Sequence, residues 1–278
     1  MNYTDDLIEI AIKEDIGDGD HTSLSCIPDS ATGKAHLLVK EKGIIAGVAL
    51  AEKIFKRIDT NLVFSKKIND GEKVNIGDIV FTVEGSSQSI LKAERLVLNF
   101  MQRMSGIASN TNFYVNLLAG LKTKVLDTRK TTPGLRTIEK LAVKIGGGEN
   151  HRMGLYDMIM IKDNHVDYAG GIKEAIVSTK AYLNKNNKQL KIEVEARNLE
   201  ELSEILAVGQ IDRIMLDNFS FKDMRTAVKL IDGNYETEAS GGITSKTIRE
   251  YAECGVDYIS VGALTHQINS IDLSLKAT

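Results

Sequence analysis

The segment Lys124-Val-Leu-Asp-Thr-Arg-Lys-Thr-Thr-Pro-Gly-Leu-Arg136 holds the densest chemistry of the 278-residue chain. Val125 and Leu126 open it as a short β-type run, which breaks into Asp127, Arg129, Lys130, Thr131 and Thr132. Pro133-Gly134 then leads into amphipathic helical spacing. Polar groups so placed lie at the C-terminal end of a strand, the end at which parallel α/β barrels bind their ligands. From Lys124 to Arg152 there are seven Lys/Arg against three Asp/Glu, in a chain of net charge −3. Positive charge that is local rather than global suits a small, multiply anionic ligand and gives no reason to expect nucleic acid.

The other polar groups recur at the same place after each apolar run. Lys162-Asp163-Asn164-His165 follows one, Asp217-Asn218 another, Ser240-Gly241-Gly242 a third and Gly262-Ala263 a fourth. Glu193 and Glu195 are two apart, so on a strand they share a face. Two carboxylates facing a barrel interior are costly without a cation. They read either as acids ion-paired near Lys162 or, with Asp217, as a Mg²⁺ site completed by substrate oxygens. Lys162 could form a Schiff base or hold an anion by charge; so many neighbouring charges favour the second role. Two glycine loops, each ahead of a helix, can cradle a phosphate on backbone N–H groups. Gly146-Gly147-Gly148 reads as a flexible loop delivering His151 and Arg152, and Arg129 with Arg152 could grip a dicarboxylate through planar guanidinium forks. Glu14-Asp15 to Thr22 has the Asp-x-Asp look of a calcium loop but lacks the downstream Glu, so a hydrogen-bonded turn is the better reading. Arg95 and Arg103, taken alone, read as solvated surface arginines.

These groups need elements to carry them. Apolar spacing predicts a helix over 5–15, capped by Thr4, and a β-rich region from 33 to 83 with strands near 35–40, 43–46, 63–68 and 79–83 around a helix at 48–58. Two helices are expected at 91–104 and 107–118. Beyond residue 123, strands at 125–127, 158–161, 191–195, 213–216, 235–239 and 258–261 alternate with helices at 135–145, 172–183, 199–207, 221–231 and 245–254. Six such repeats without a G-x-G-x-x-G point to an incomplete parallel α/β barrel of about six strands, preceded by an α+β sandwich. The domains are expected at 1–120 and 121–278, with a C-terminal helix returning to the first. The acidic N-terminus has no apolar signal region, no apolar run approaches membrane-spanning length, and Cys26 and Cys254 read as two reduced thiols, so the expected setting is cytoplasmic.

Taken together the motifs resemble those of the quinolinate phosphoribosyltransferase family, a type II phosphoribosyltransferase. They are Asp127-Thr128-Arg129-Lys130-Thr131-Thr132-Pro133-Gly134, Gly147 to Arg152, Ile161 to His165, Glu193-Val194-Glu195, Glu94-Arg95, Ser105 to Ala108, Leu216-Asp217-Asn218 and Ser240 to Ile243. The acidic stretch from Glu14 to Thr22 also fits, and the resemblance runs from about residue 7 to 266. It implies decarboxylating transfer of phosphoribose from phosphoribosyl pyrophosphate to quinolinate, giving nicotinate mononucleotide, pyrophosphate and CO₂ on the route to NAD. It further implies a homodimer or hexamer with a shared active site, Mg²⁺ and no organic cofactor. By motif position Arg95 would reach quinolinate across the interface, and Arg129, His151 and Arg152 would bind its carboxylates. Lys130 and Lys162 would touch ligand anions, and Glu195 and Asp217 the Mg²⁺–phosphoribosyl pyrophosphate; these four form the expected catalytic set. Ser240, Gly241, Gly242, Gly262, Ala263 and His266 would hold the 5-phosphate. The place of Glu193 stays open. The rivals are a relative using nicotinate, a molybdenum-associated paralogue, an aldolase built on Lys162 and a non-catalytic phosphate-ligand sensor.

Overall fold

The computed structural model describes residues 3–278. In chain order the elements begin α1 (Tyr3–Ile16), α2 (His21–Cys26), β1 (Thr32–Val39), β2 (Gly43–Ile44), α3 (Val48–Ile58), β3 (Val63–Lys66), β4 (Lys73–Val74), β5 (Ile79–Ser86) and α4 (Ser87–Leu117). They continue β6 (Lys124–Leu126), α5 (Arg136–Ile145), β7 (Ile159–Ile161), α6 (Asp163–Ala169), α7 (Ile172–Lys185), β8 (Ile192–Ala196) and α8 (Leu199–Val208). The last are β9 (Arg213–Asp217), α9 (Phe221–Ile231), β10 (Glu236–Ser240), α10 (Ile248–Ala252), β11 (Tyr258–Ser260), α11 (Ala263–His266) and β12 (Leu273–Ala277). No helix among the described residues is long and apolar enough to cross a membrane.

The chain forms two compact units. The first takes the chain up to Phe113 together with Thr131–Gly147 and Leu264–Thr278; the second is Tyr114–Lys130 with Gly148–Ala263. The chain returns twice to the first unit, carrying α5 and β12 with it.

In the first unit an antiparallel sheet of order β12-β1-β5-β3 supplies one layer. Alternation on β1 buries Ala35, Leu37 and Val39, and β5 buries Val80, Phe81 and Val83. Helix α3 buries Leu50, Ala51, Ile54 and Phe55, and Phe55 meets Phe81 edge-on at 5.9 Å between ring centres. The expected C-terminal helix is instead strand β12, paired in register with β1 from Leu37↔Leu275 to Val39↔Leu273. The reason is in the pattern: Ile271, Leu273 and Leu275 alternate with polar residues and all three are buried, a period of two and not of 3.6.

The two helices expected at 91–104 and 107–118 are one helix of 31 residues, α4. Gly106 does not break it. A Cβ there would lie 2.3 Å from the Asn269 carbonyl oxygen, so glycine is required for close approach of a neighbouring backbone. Gly106→Ala should therefore lower the melting temperature, although helix propensity alone would raise stability by about 1 kcal/mol; a thermal melt decides the sign. Arg103, on the same helix, is no solvated surface residue. Its Nε and Nη2 donate to Oε1 of the fully buried Glu139 at 2.8 and 2.5 Å, and Nη2 reaches Thr132 Oγ1 at 2.6 Å. Between α1 and α2, Asp20 caps α2 by accepting from the Ser23 N–H, so this stretch is the hydrogen-bonded turn expected of it.

In the second unit six parallel strands run in the order β6-β11-β10-β9-β8-β7. They fall within about a residue of their expected positions because each is a short, nearly wholly buried run: all five residues of β8 are buried. This is the incomplete α/β barrel anticipated from the alternation. Helix α6 was not foreseen; Lys162 precedes it and His165 Nδ1 accepts the Lys162 N–H at 3.0 Å, closing a capping box over only seven residues.

Candidate active site

Register decides which side chains share the inner face. Glu193 pairs with Arg213, Glu195 with Met215 and Met160 with Glu193, while Arg213 pairs with Glu236, Met215 with Glu238 and Asp217 with Ser240. Paired residues of parallel strands point to the same side, so Lys162, Glu193, Glu195, Arg213, Asp217, Glu236, Glu238 and Ser240 form one polar surface in two levels.

The upper level lies at the strand ends. Lys162 Nζ meets Glu195 Oε2 at 2.9 Å, with the lysine half exposed and the glutamate 6 % exposed. The ion pair near Lys162 that the sequence allowed is thus made by Glu195 and not by Glu193. Asp217 Oδ2 accepts from Asn218 Nδ2 at 2.6 Å. Asn218 adopts a left-handed backbone, φ 56°, and its main-chain N–H bonds the Ser240 carbonyl at 3.0 Å. It also lies so close to Gly241 that a Cβ there would be 2.3 Å from Asn218 Oδ1. With φ +92° at Gly241 and +58° at Gly242, the loop needs both glycines. The helix expected over 245–254 starts only at Ile248, and α11 after Gly262 has four residues. What these loops offer an anion is therefore their own N–H groups rather than a long helix dipole.

The stretch carrying His151 and Arg152 is fixed, not the flexible loop the glycines suggested. The Glu149 N–H bonds Val125 O at 2.8 Å, the Asp127 N–H bonds Glu149 O at 3.1 Å, and the buried Asp127 Oδ1 accepts the His151 N–H at 2.8 Å. The segment runs beside β6 as an added strand fragment, which aims His151 inward. Arg152 Nη1 donates to the Met158 carbonyl at 3.2 Å. Burial, and then the positive charge of Arg129, hold its pKa below that of an ordinary guanidinium, so the two arginines direct charge into the same region. Arg129 and Lys130 are exposed at the end of β6. Arg95, exposed on α4, and His266, exposed on α11, belong to the first unit.

The lower level was largely missed. His151 Nε2 lies 2.8 Å from Glu193 Oε2 and 3.3 Å from Glu238 Oε2, both glutamates fully buried. Arg213 donates from Nη1 to Glu238 at 3.2 Å and from Nη2 to Glu236 at 2.9 Å, with its guanidinium 4.1 Å from the centre of the Tyr258 ring. The signal was present as a second Glu-x-Glu, Glu236 and Glu238, spaced as Glu193 and Glu195 are, but only the strand register shows that both pairs face inward.

Burial opposes charge on His151, yet the hydrogen bonds and negative charges of Glu193 and Glu238 outweigh it and lift the ring to about 9. The Arg152 N–H points at Nδ1 at 2.7 Å and opposes a second proton there. Raising the ring from 6.5 to about 9 corresponds to about 3 kcal/mol, whereas one neutral hydrogen bond contributes about 1 kcal/mol, so the cationic ring wins. Burial and the charge of Glu238 push Glu193 up to about 7, while His151 draws it down. Burial also opposes ionisation of Glu238, but His151, Ser260 and Arg213 hold it below the ordinary carboxylate range. The three candidate ligand atoms of His151, Glu193 and Glu238 lie within 4.8 Å of one another. They do not suit a metal: Nε2, the atom a metal would need, carries a proton in the cationic ring and equally in the neutral ring whose Nδ1 accepts the Arg152 N–H, and Arg213 already places a cation against Glu238.

The chain is similar along nearly its whole length to proteins of one family. Residues 107–276 match the family described as quinolinate phosphoribosyl transferase, C-terminal domain, and residues 20–105 its N-terminal domain. The chain is 47% identical over 285 residues to quinolinate phosphoribosyltransferase [decarboxylating] 1b of Nicotiana tabacum, a match covering 97% of this chain and 81% of that protein. Among solved structures, NadC from Streptococcus pyogenes has a TM-score of 0.93 at 40% identity, covering 99% of this chain and 96% of that one. The nicotinate-nucleotide pyrophosphorylase from Francisella tularensis has a TM-score of 0.92, also at 40% identity, covering 100% and 96%.

Proposed function

The chain belongs to the quinolinate phosphoribosyltransferase family and catalyses the decarboxylating transfer of phosphoribose to quinolinate in NAD biosynthesis, and we propose how its own residues divide that work. Arg129, His151 and Arg152 hold the two carboxylates of quinolinate. The observation that carries this is the convergence of three cationic groups in the second unit: Arg129 is close enough to depress Arg152, and His151 directly precedes Arg152 in the chain with a proton held by two glutamates. A dicarboxylate is the ligand such a cluster favours, since each carboxylate then meets its own guanidinium or imidazolium.

Lys130 and Lys162 neutralise anionic oxygens of the ligands, with Lys162 oriented by Glu195. Glu195 and Asp217 would hold Mg²⁺. Two carboxylates on one sheet face offer the hard oxygens this ion prefers but too few of them to enclose it, which fits a cation arriving with the oxygens of phosphoribosyl pyrophosphate. When bound, Mg²⁺ supplies charge neutralisation to the departing pyrophosphate. The same carboxylates face the positive charge that develops on the ribosyl carbon as the bond to pyrophosphate breaks. Loss of the 2-carboxylate as CO₂ then leaves its electron pair next to a cationic ring nitrogen, so no protein nucleophile is required. Ser240, Gly241, Gly242, Gly262 and Ala263 hold the 5-phosphate. Arg95, exposed on its own chain, reaches the quinolinate of a neighbouring protomer in a dimer or larger even assembly. Two free thiols, Cys26 and Cys254, suit a cytoplasmic setting.

The His151 assignment has a pH signature. A ring whose pKa is raised from 6.5 to about 9 keeps its proton through neutral pH and loses it as pH rises through about 9. The same proton stabilises the fold fully below the ordinary value and not at all above the raised one. The kcat/KM for quinolinate should therefore stay level through neutral pH and fall above about 9, and His151→Gln should remove that limb. An unchanged alkaline limb in the variant would refute the charge role.

A further inference from the structure

We propose that Glu238, with Glu193 and Arg213, forms a positioning network for His151, fixing the plane of its ring beneath the quinolinate subsite. The proposal rests on the reading above that His151 serves that subsite. The network spans three neighbouring strands: Glu193 on β8, Arg213 on β9 and Glu238 on β10, with Glu193 and Arg213 in direct register. Both glutamates aim Oε2 at the single atom His151 Nε2, and Arg213 Nη1 donates to that same Oε2 of Glu238 while Tyr258 covers its guanidinium. Main-chain bonding at the His151 N–H by Asp127 fixes the base of the side chain, and the two glutamates fix its tip. The imidazole is thus held at both ends.

Stability alone does not account for the arrangement. Well-packed apolar residues in place of a buried ion-pair network are often neutral or stabilising. Here Oε1 of Glu193 and Oε1 of Glu238 are each buried and accept from no described residue, while Oε2 of each is directed at His151. Neither glutamate stands at the strand ends: Glu193 lies two residues below Glu195, and Glu238 two below Ser240. They act through His151 and are positioning residues.

The test is a double-mutant cycle with His151→Gln and Glu238→Gln, followed by steady-state kinetics with each substrate varied. Glutamine keeps the volume of Glu238, and Arg213 retains Glu236, so the variant should fold, with the melting curve as control. The expected result is a roughly ten-fold rise in KM for quinolinate in Glu238→Gln, an unchanged KM for phosphoribosyl pyrophosphate, and no further rise when Glu238→Gln is added to His151→Gln. Additive effects, or a quinolinate KM unmoved by Glu238→Gln while His151→Gln raises it, would overturn the network and leave the role of His151 standing. A quinolinate KM unmoved by His151→Gln would overturn both. Should Glu238→Gln fail to fold, Glu193→Gln enters the same cycle with the same outcomes.

Discussion

Arg129→Ala is expected to lower kcat/KM for quinolinate by between roughly 30-fold and several thousand-fold, the range found when one partner of a hydrogen-bonded charge pair at a binding site is removed. The melting curve should not move, because Arg129 is exposed at the end of β6 and its side chain fills no core. The loss should appear with quinolinate as the varied substrate and be small with phosphoribosyl pyrophosphate. Arg129→Lys should recover only part of it, since an ammonium cannot offer a carboxylate the two parallel donors of a guanidinium. Wild-type kinetics in the alanine variant would remove Arg129 from the carboxylate site.

The second large effect is on stability. Arg213 is 8 % exposed and donates to Glu236 and to the fully buried Glu238, with Glu193 paired to it in register. Arg213→Met fills similar volume but strands buried carboxylates, a change that costs about 3–5 kcal/mol when one member of a buried pair is lost. For a chain of this size the melting temperature should fall by about 10 °C. Part of the loss should be recovered by adding Glu238→Gln, which removes one of the stranded charges. A melting temperature within a degree or two of wild type would mean that the lower level of the barrel is solvated and that its charges are not coupled.

The elements that sequence reasoning placed well are those with one dominant cause. The six parallel strands are short buried runs set between helices, and burial on both faces leaves little room for another assignment. Where two causes compete, the reading failed. Gly106 looks like a helix end but serves a close backbone approach inside α4, and the alternation from Ile271 to Leu275 was outweighed by the expectation of a closing helix. The glycines around Gly147 suggested mobility, whereas Asp127 and the edge of β6 hold that stretch in place.

The site divides in the same way. Arg129, Lys162, Glu195 and Asp217 were legible because they directly follow or end strands, where position along the chain is enough. Glu238 and Arg213 were not, because their role depends on which face of which strand meets which neighbour. That is set by the register of β8, β9 and β10, and nothing local in the sequence states it.

The central claim is that the cationic cluster around Arg129, His151 and Arg152 selects a second carboxylate. The most direct measurement supplies quinolinate and nicotinate as parallel acceptors, with phosphoribosyl pyrophosphate and Mg²⁺, and follows CO₂ and nicotinate mononucleotide. The account predicts equal amounts of CO₂ and mononucleotide from quinolinate, with nicotinate turning over at least about 100-fold less efficiently, the discrimination expected when buried charges lose their partner. Comparable turnover of nicotinate, or no CO₂ from quinolinate while phosphoribosyl pyrophosphate binds, would contradict it.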